Sequence, residues 1–305
     1  MPNLTKASFL SELEKRYGPT KKLTTSLSLF EVSDGLLRIY VRYSMVHAQR
    51  KQAFYGLRKE DLKELQGHNS VICFLWDRQL EPLFLPFSEF EDILDAVTAA
   101  SDGQIKASIF QQRDATELYL ANTGRFNVEA FLGWKSLERL VERSQIVSVP
   151  EFSHSQIQTL IGSIGVTKGY DVWVPLADRN RLDWRLAPEF NCRTSLPDRY
   201  SRVIGIISEV DVMWLQRGSS ELKAMFEVEH STPVYSGLLR FNDLYLTEPN
   251  LKLRYSIVSN DERRSLFLRQ IDRPTFKASG LSEICSFLEY KDVFLWFNRT
   301  LGVRK

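Results

Sequence analysis

Apolar residues in the first half of the chain fall into alternating helical and strand spacings. Residues 6–17 set Phe9, Leu10, Leu13 and Tyr17 near one helical face, and Gly18-Pro19 closes the run, which predicts a short helix. A hairpin turning at Asp34-Gly35 follows. In its second strand Ile39, Val41 and Tyr43 alternate with Arg38, Tyr40 and Arg42, so one face packs and the other shows Arg, Tyr and Arg to solvent. A polar, basic loop with Phe54 and Tyr55 leads to a short helix ended by Gly67. Residues 71–76 and 82–86 read as buried strands, and 87–100 as an amphipathic helix begun at Ser88. Two more strands are expected at 105–110 and 116–121, then a helix over 127–144 turning Phe131, Leu137 and Leu140 inward. Mixed helices and short strands predict an α+β module. Periodicity lapses over 145–152, where Pro150 interrupts, and divides an accessory domain of 1–148 from a second domain of 149–305.

In the second domain Ser153 caps a helix carrying Ile157, Leu160, Ile161 and Ile164, and Lys168-Gly169 introduces a strand over 170–175. Residues 178–202 lack periodicity and form a long excursion. Val203 to Ser231 then reads as an antiparallel hairpin bent at Gly218, both flanks rich in Val, Ile, Met, Phe and Trp. Strand alternation puts Glu209 with Asp211 on one strand and Glu227 with Glu229 on its neighbour. Carboxylates converging inside an apolar hairpin need a cation or a shared proton, and hard oxygen ligands at this density suit Mg²⁺ or Mn²⁺. A helix over 233–246, a strand over 251–259, a helix over 261–271 and a terminal helical pair from 281 to 299 complete the chain.

A chain of 305 residues with 43% hydrophobic content can bury two cores. Its apolar runs fall short of the ~18 residues that span a bilayer, and the N-terminus lacks a hydrophobic targeting core, which together place it in the cytoplasm. Cys73, Cys192 and Cys285 are scattered without zinc spacing and read as thiols. A net charge of +2 does not mark a nucleic-acid binder. From Gly35 to Lys59, however, there is no Asp or Glu, and Arg38, Arg42, Arg50 and Lys51 become candidate phosphate contacts, with a solvated edge strand guarded by cations as the competing account. Nucleotide-binding glycine loops, a GxSxG elbow and an HExxH helix are all absent from the sequence.

Asp211, fifteen intervening residues and then Glu227-Val228-Glu229 resembles the active-site hairpin of the PD-(D/E)XK nucleases. The likeness to restriction-endonuclease-like proteins continues in order through HSQIQ at 154–158, GYDVWVP at 169–175, SEVDVMWL at 208–215, FEVEHSTPVYSGLLRFNDL at 226–244 and DERR at 261–264, about the C-terminal half of the chain. The resemblance implies an α/β restriction-endonuclease-like domain with a mixed central sheet following the α+β module. It implies hydrolysis of DNA phosphodiesters in restriction or anti-phage defence, with Mg²⁺ (Mn²⁺ substituting) held by Asp211, Glu227 and the main-chain carbonyl of Val228. Glu229 stands where the family usually has Lys, as in the Glu-x-Glu variant, and would hold a second ion or orient the attacking water. That departure keeps an alternative open: a nuclease-derived DNA-binding or regulatory subunit without catalysis.

Gln158 is a further candidate, on the helix that in this fold brings a polar side chain to the metal site. For Glu209 an ion pair with Arg serves as well as metal contact, and for His230 a packed or capping ring is preferred to a proton donor. Cutting both strands of a duplex calls for two equivalent sites, so a homodimer is expected, with a methyltransferase or other restriction subunit as a possible companion. An RNA-directed nuclease is compatible with the same residues.

Overall fold

The computed structural model describes residues 4–23, 26–47, 52–77, 79–112, 115–146, 149–230, 234–251 and 253–302. The chain divides into two compact units, 1–147 and 148–305. Among the described residues no helix is long and apolar enough to cross a membrane.

The first unit opens with helix α1 (Leu4–Tyr17), which stops at Gly18 in the left-handed conformation, φ 96°. Strands β1 (Thr20–Lys22), β2 (Leu29–Val32) and β3 (Leu37–Ser44) follow, the last two joined through Asp34 and Gly35 at φ 52° and 99°. After them come β4 (Val46–His47), β5 (Gln52–Arg58), α2 (Lys59–Lys63), β6 (Ser70–Trp76), β7 (Leu83–Pro86) and α3 (Phe87–Ala96). The unit closes with β8 (Gln104–Gln111), β9 (Thr116–Leu120), β10 (Gly124–Asn127) and α4 (Trp134–Ile146). The strands form two five-stranded sheets, β1-β2-β3-β6-β7 and β10-β9-β8-β5-β4. Tyr40, Ile72 and Phe74 of the first sheet pack with Tyr55, Leu57, Ile109 and Leu118 of the second. The opposite face of the first sheet, with Ile39, Val41, Val71 and Cys73, is covered by Phe9 and Leu13 of α1 and Leu137 of α4.

That double covering corrects the reading of Arg38. β3 is an inner strand paired with β2 and β6, so Arg38 is 3% exposed, and its guanidinium donates to Glu31 at 3.1 Å and to the Glu64 main-chain oxygen at 2.7 Å. The expected basic loop around Phe54 is β5, in which Ala53, Tyr55 and Leu57 are buried at every second position. The helix expected from residue 127 begins only at Trp134, because 124–127 pair with β9 instead.

The second unit begins with α5 (His154–Thr167), capped by Ser153, whose hydroxyl accepts from the Gln156 N–H while the Gln156 side chain accepts from the Ser153 N–H. β11 (Tyr170–Trp173) leads into the excursion, which carries two short 3₁₀ turns at Arg179–Arg181 and Asp198–Val203. Then come α6 (Ile204–Ile207), β12 (Val212–Gln216), β13 (Leu222–Val228), α7 (Val234–Thr247), β14 (Arg254–Ser259), α8 (Arg264–Ile271), α9 (Pro274–Ser279), α10 (Leu281–Ile284), β15 (Cys285–Glu289) and α11 (Tyr290–Thr300). The sheet order is β11-β12-β13-β14-β15, antiparallel from β11 to β13 and parallel from β13 to β15. One face packs α6 to α10 through Met213, Met225 and Ile257. The other packs α5 and α11 through Val212, Trp214, Phe226 and Val258.

Two expectations change here. The hairpin turns at Gly218 (φ 86°), yet its first strand starts at Val212, and the residues before it are helical or turn. Glu209 is therefore exposed and off the strand, sharing no pleat with Asp211. Residues 285–289, expected within a helix, form β15 along β14. α5 also shows two close approaches: a Cβ at Gly162 would lie 2.2 Å from Phe190 of the excursion, and one at Gly165 2.4 Å from the Trp214 ring.

Candidate active site

Asp211 stands immediately before β12, across the antiparallel ladder from the last residues of β13, since Val212 pairs with Phe226. Phe226 and Val228 pack with α5 and α11, so the pleat turns Glu227 and Glu229 the other way, towards α7. The helix comes this close because residue 237 is glycine: a Cβ there would lie 2.9 Å from Glu229 Oε1 and 3.0 Å from Glu227 Cβ. Three residues on, and so on the same helical face, Arg240 donates Nε and Nη2 to the two oxygens of Glu227, each at 2.7 Å. Glu227 is wholly buried and Glu229 nearly so.

Asp211 is held from both sides. Its Oδ2 accepts the Val228 N–H at 2.7 Å, and its Oδ1 accepts from Gln158 Nε2 at 3.2 Å and lies 3.1 Å from His154 Nε2. The first turns of α5 thus point two polar side chains at one carboxylate, and Gln158 also reaches Asp178 of the excursion at 3.3 Å. Gln156, by contrast, serves the helix cap and Asp183.

Charge in this group is mutually dependent. Burial first, and then Asp211 and Glu229, push the Glu227 carboxyl up, against the pull of Arg240, whose two N–H groups both engage the ionised form. Arg240 is in turn raised, chiefly by its hydrogen bond to Glu227. Burial works against a charged His154, but the hydrogen bond to Asp211 and the fields of Asp211, Asp178 and Glu229 outweigh it and raise the imidazole.

Asp211, Glu227, Glu229, the Val228 carbonyl and the Gln158 side-chain carbonyl are all hard oxygen donors, a set suited to Mg²⁺ or Mn²⁺. Gln158 Oε1 is buried without a hydrogen-bond partner, an acceptor with nothing donating to it, as befits a ligand beside a cation. The donor chemistry therefore fits the metal. As the side chains stand, no group of three or more His, Cys, Asp or Glu among the described residues is arranged to hold a metal ion. Glu227 gives both oxygens to Arg240, and Asp211 gives one to Val228.

The structure thus brings Asp211, Glu227, Glu229 and Gln158 together and leaves Glu209 outside. His230 is exposed, its ring parallel to that of Tyr290 at 6.3 Å between centroids. In the first unit Arg38 is committed to Glu31 and Glu64, Arg42 lies over the Tyr40 ring at 5.5 Å with its Nε lacking a hydrogen-bond partner, and Arg50 and Lys51 fall outside the described residues. Sequence reasoning missed Arg240 and Asp178. Neither carried a signal in the sequence: Arg240 depends on how closely α7 approaches β13, and Asp178 lies in an aperiodic loop.

A family model for the type II restriction enzyme NmeDI C-terminal domain matches residues 139–298. The type II restriction enzyme NmeDI of Neisseria meningitidis serogroup C is 28% identical over 137 residues, 41% of this chain and 37% of that enzyme, so the chain spans well under two thirds of this relative. No solved structure matches the chain.

Proposed function

Because the chain belongs to the family of the type II restriction enzyme NmeDI C-terminal domain, we propose that it is a metal-dependent DNA endonuclease of the PD-(D/E)XK kind, acting in restriction or anti-phage defence. The observation that carries this reading is the convergence of Asp211, Glu227 and Glu229 at one end of a mixed sheet, with the Gln158 amide hydrogen-bonded to Asp211 and its carbonyl oxygen buried without a partner. Mg²⁺ or Mn²⁺, held by Asp211, Glu227 and the Val228 carbonyl, would supply Lewis-acid polarisation of the scissile phosphate. The Val228 N–H and Gln158 fix the direction of Asp211. Glu229, nearly buried beside Gly237, would hold a second ion or orient the attacking water, the part for which the usual lysine is missing. His154, whose protonated form the hydrogen bond to Asp211 favours, would offset part of the carboxylate repulsion when charged. The first unit is assigned to DNA recognition, with Arg42 among its phosphate contacts, and the working form to a homodimer serving both strands, with a methyltransferase or other restriction subunit as the expected companion.

A second reading rests on a specific observation: Arg240 already neutralises Glu227, so the fold can stand without metal, as a DNA-binding or regulatory subunit would require. Plasmid and modified phage DNA incubated with Mg²⁺ or Mn²⁺ separates the two. Asp211→Asn, which keeps an acceptor for Val228, is expected to fold normally and cut nothing. Asp211→Ala strands the Val228 N–H and the Gln158 amide and is expected to lose about 1–3 kcal/mol in urea titration as well. Wild-type protein that leaves every DNA substrate intact, and takes up no Mn²⁺ by calorimetry, would transfer the case to the binding subunit.

A further inference from the structure

Arg240 and a divalent cation require the same atoms. The guanidinium fork engages both Glu227 oxygens at 2.7 Å, the side-on geometry that uses the carboxylate fully. A metal held by Glu227 needs at least one of those oxygens, and a second positive charge against the guanidinium is repelled. Their environments differ, however. The Glu227 side chain is 1% exposed and fixed on β13, whereas Arg240 is 33% exposed and enters from the surface of α7. Glu227 has nowhere to go; the arginine does.

Resting on the nuclease reading, we propose that Arg240 is a substrate-positioning residue that occupies Glu227 while metal is absent and transfers to the DNA phosphodiester when a divalent cation takes Glu227. A freed guanidinium at the lip of this site meets two other anions, Asp211 and Glu229. Asp211 is already engaged by Val228, Gln158 and His154, and both acids belong to the set that would face the cation. The phosphodiester is the anion that arrives with the substrate, and its geometry matches the arginine fork. Metal and DNA therefore assist each other: the cation releases Arg240 to the phosphate, and the phosphate draws Arg240 off the metal ligand. Linkage makes that assistance equal in both directions.

The experiment needs no turnover. Mn²⁺ is titrated into the full chain by calorimetry without DNA, for wild type, Arg240→Gln and Arg240→Lys. Removing the competitor is expected to tighten Mn²⁺ about tenfold in Arg240→Gln, with Arg240→Lys, a single-point donor, in between. Affinity for a pool of random-sequence duplex DNA is then compared in Ca²⁺ and in EDTA, with the duplex verified intact afterwards. Ca²⁺ is expected to tighten DNA binding by wild type several-fold more than by Arg240→Gln, which keeps only the cation's own contact with the phosphate. Should Arg240→Gln melt before it can be measured, the wild-type and Arg240→Lys titrations decide alone. Mn²⁺ affinity indifferent to the substitution, or equal Ca²⁺ enhancement in wild type and variant, overturns the role of Arg240 and leaves the nuclease intact. Mn²⁺ taken up by neither wild type nor Arg240→Gln, with or without duplex DNA, overturns both.

Discussion

Asp211 shows how a single side chain serves both fold and chemistry, because the oxygen that caps the Val228 N–H belongs to the carboxylate that would face the metal. A second acid, Asp292 in the first turn of α11, illustrates the cost of burial alone. The residue as a whole is half-buried, but its carboxyl lies inside, and burial followed by the nearby Glu289 carries it from 3.8 to about 7, against Lys291, Arg264 and Arg299. Its folded form keeps a proton that the unfolded chain gives up, so its contribution to stability is full below pH 3.8, declines as pH rises, and is gone by about pH 7. Unfolding titrations at a series of pH values should show Asp292→Asn losing less stability than wild type between those limits; parallel curves would refute the shifted carboxyl. Glu227 and Glu229 could be paired from the sequence because strand alternation sets them on one face; the same rule misled for Glu209, which lies in a turn before β12. Arg240 was not legible, since its meaning depends on how closely α7 approaches β13, a tertiary quantity.

That approach is a matter of elements, set by the absence of one Cβ. Gly237→Ala adds a methyl 2.9 Å from Glu229 Oε1 and 3.0 Å from Glu227 Cβ, while alanine favours the helix by about 1 kcal/mol over glycine. The two effects oppose each other in stability but not in geometry. Gly237→Ala should melt within a few degrees of wild type yet bind Mn²⁺ about tenfold more weakly, since 1.4 kcal/mol of misplacement suffices. A variant that binds metal as wild type does would show that α7 does not set the positions of the acids. Elements with long periodic runs, such as α5 and α7, could be read from sequence. The short ones, β5 and β15, could not: five to seven residues fit either spacing, and each is a strand because a neighbour, β8 or β14, supplies its hydrogen bonds.

For the molecule as a whole, periodicity alone makes the excursion at 178–202 as open to proteolysis as the boundary near 145–152. Its apparent irregularity conceals anchors. The Asp183 N–H donates to Thr159 at 2.8 Å, the Tyr200 hydroxyl accepts the Leu222 N–H at 2.9 Å, and Leu182, Ala187 and Leu196 are buried. Limited proteolysis should therefore cut first at the junction of the two units and yield a stable fragment of about residues 150–305, with the excursion intact. Early cleavage inside 178–202 would contradict that anchoring.

The paired glycines of α5 have a bearing on when the acidic site is assembled. Each weakens the isolated helix by about 1 kcal/mol, and they are tolerated because Phe190 and Trp214 lie against them and α11 packs alongside. α5 is therefore a poor helix until chain far downstream has been made. His154 and Gln158, among the first residues of the unit to leave the ribosome, wait for β12, β13 and finally α11 before they are held in front of Asp211. A nascent chain has the acids but not the frame, so the arrangement around Asp211 is completed only once α11 has been synthesised.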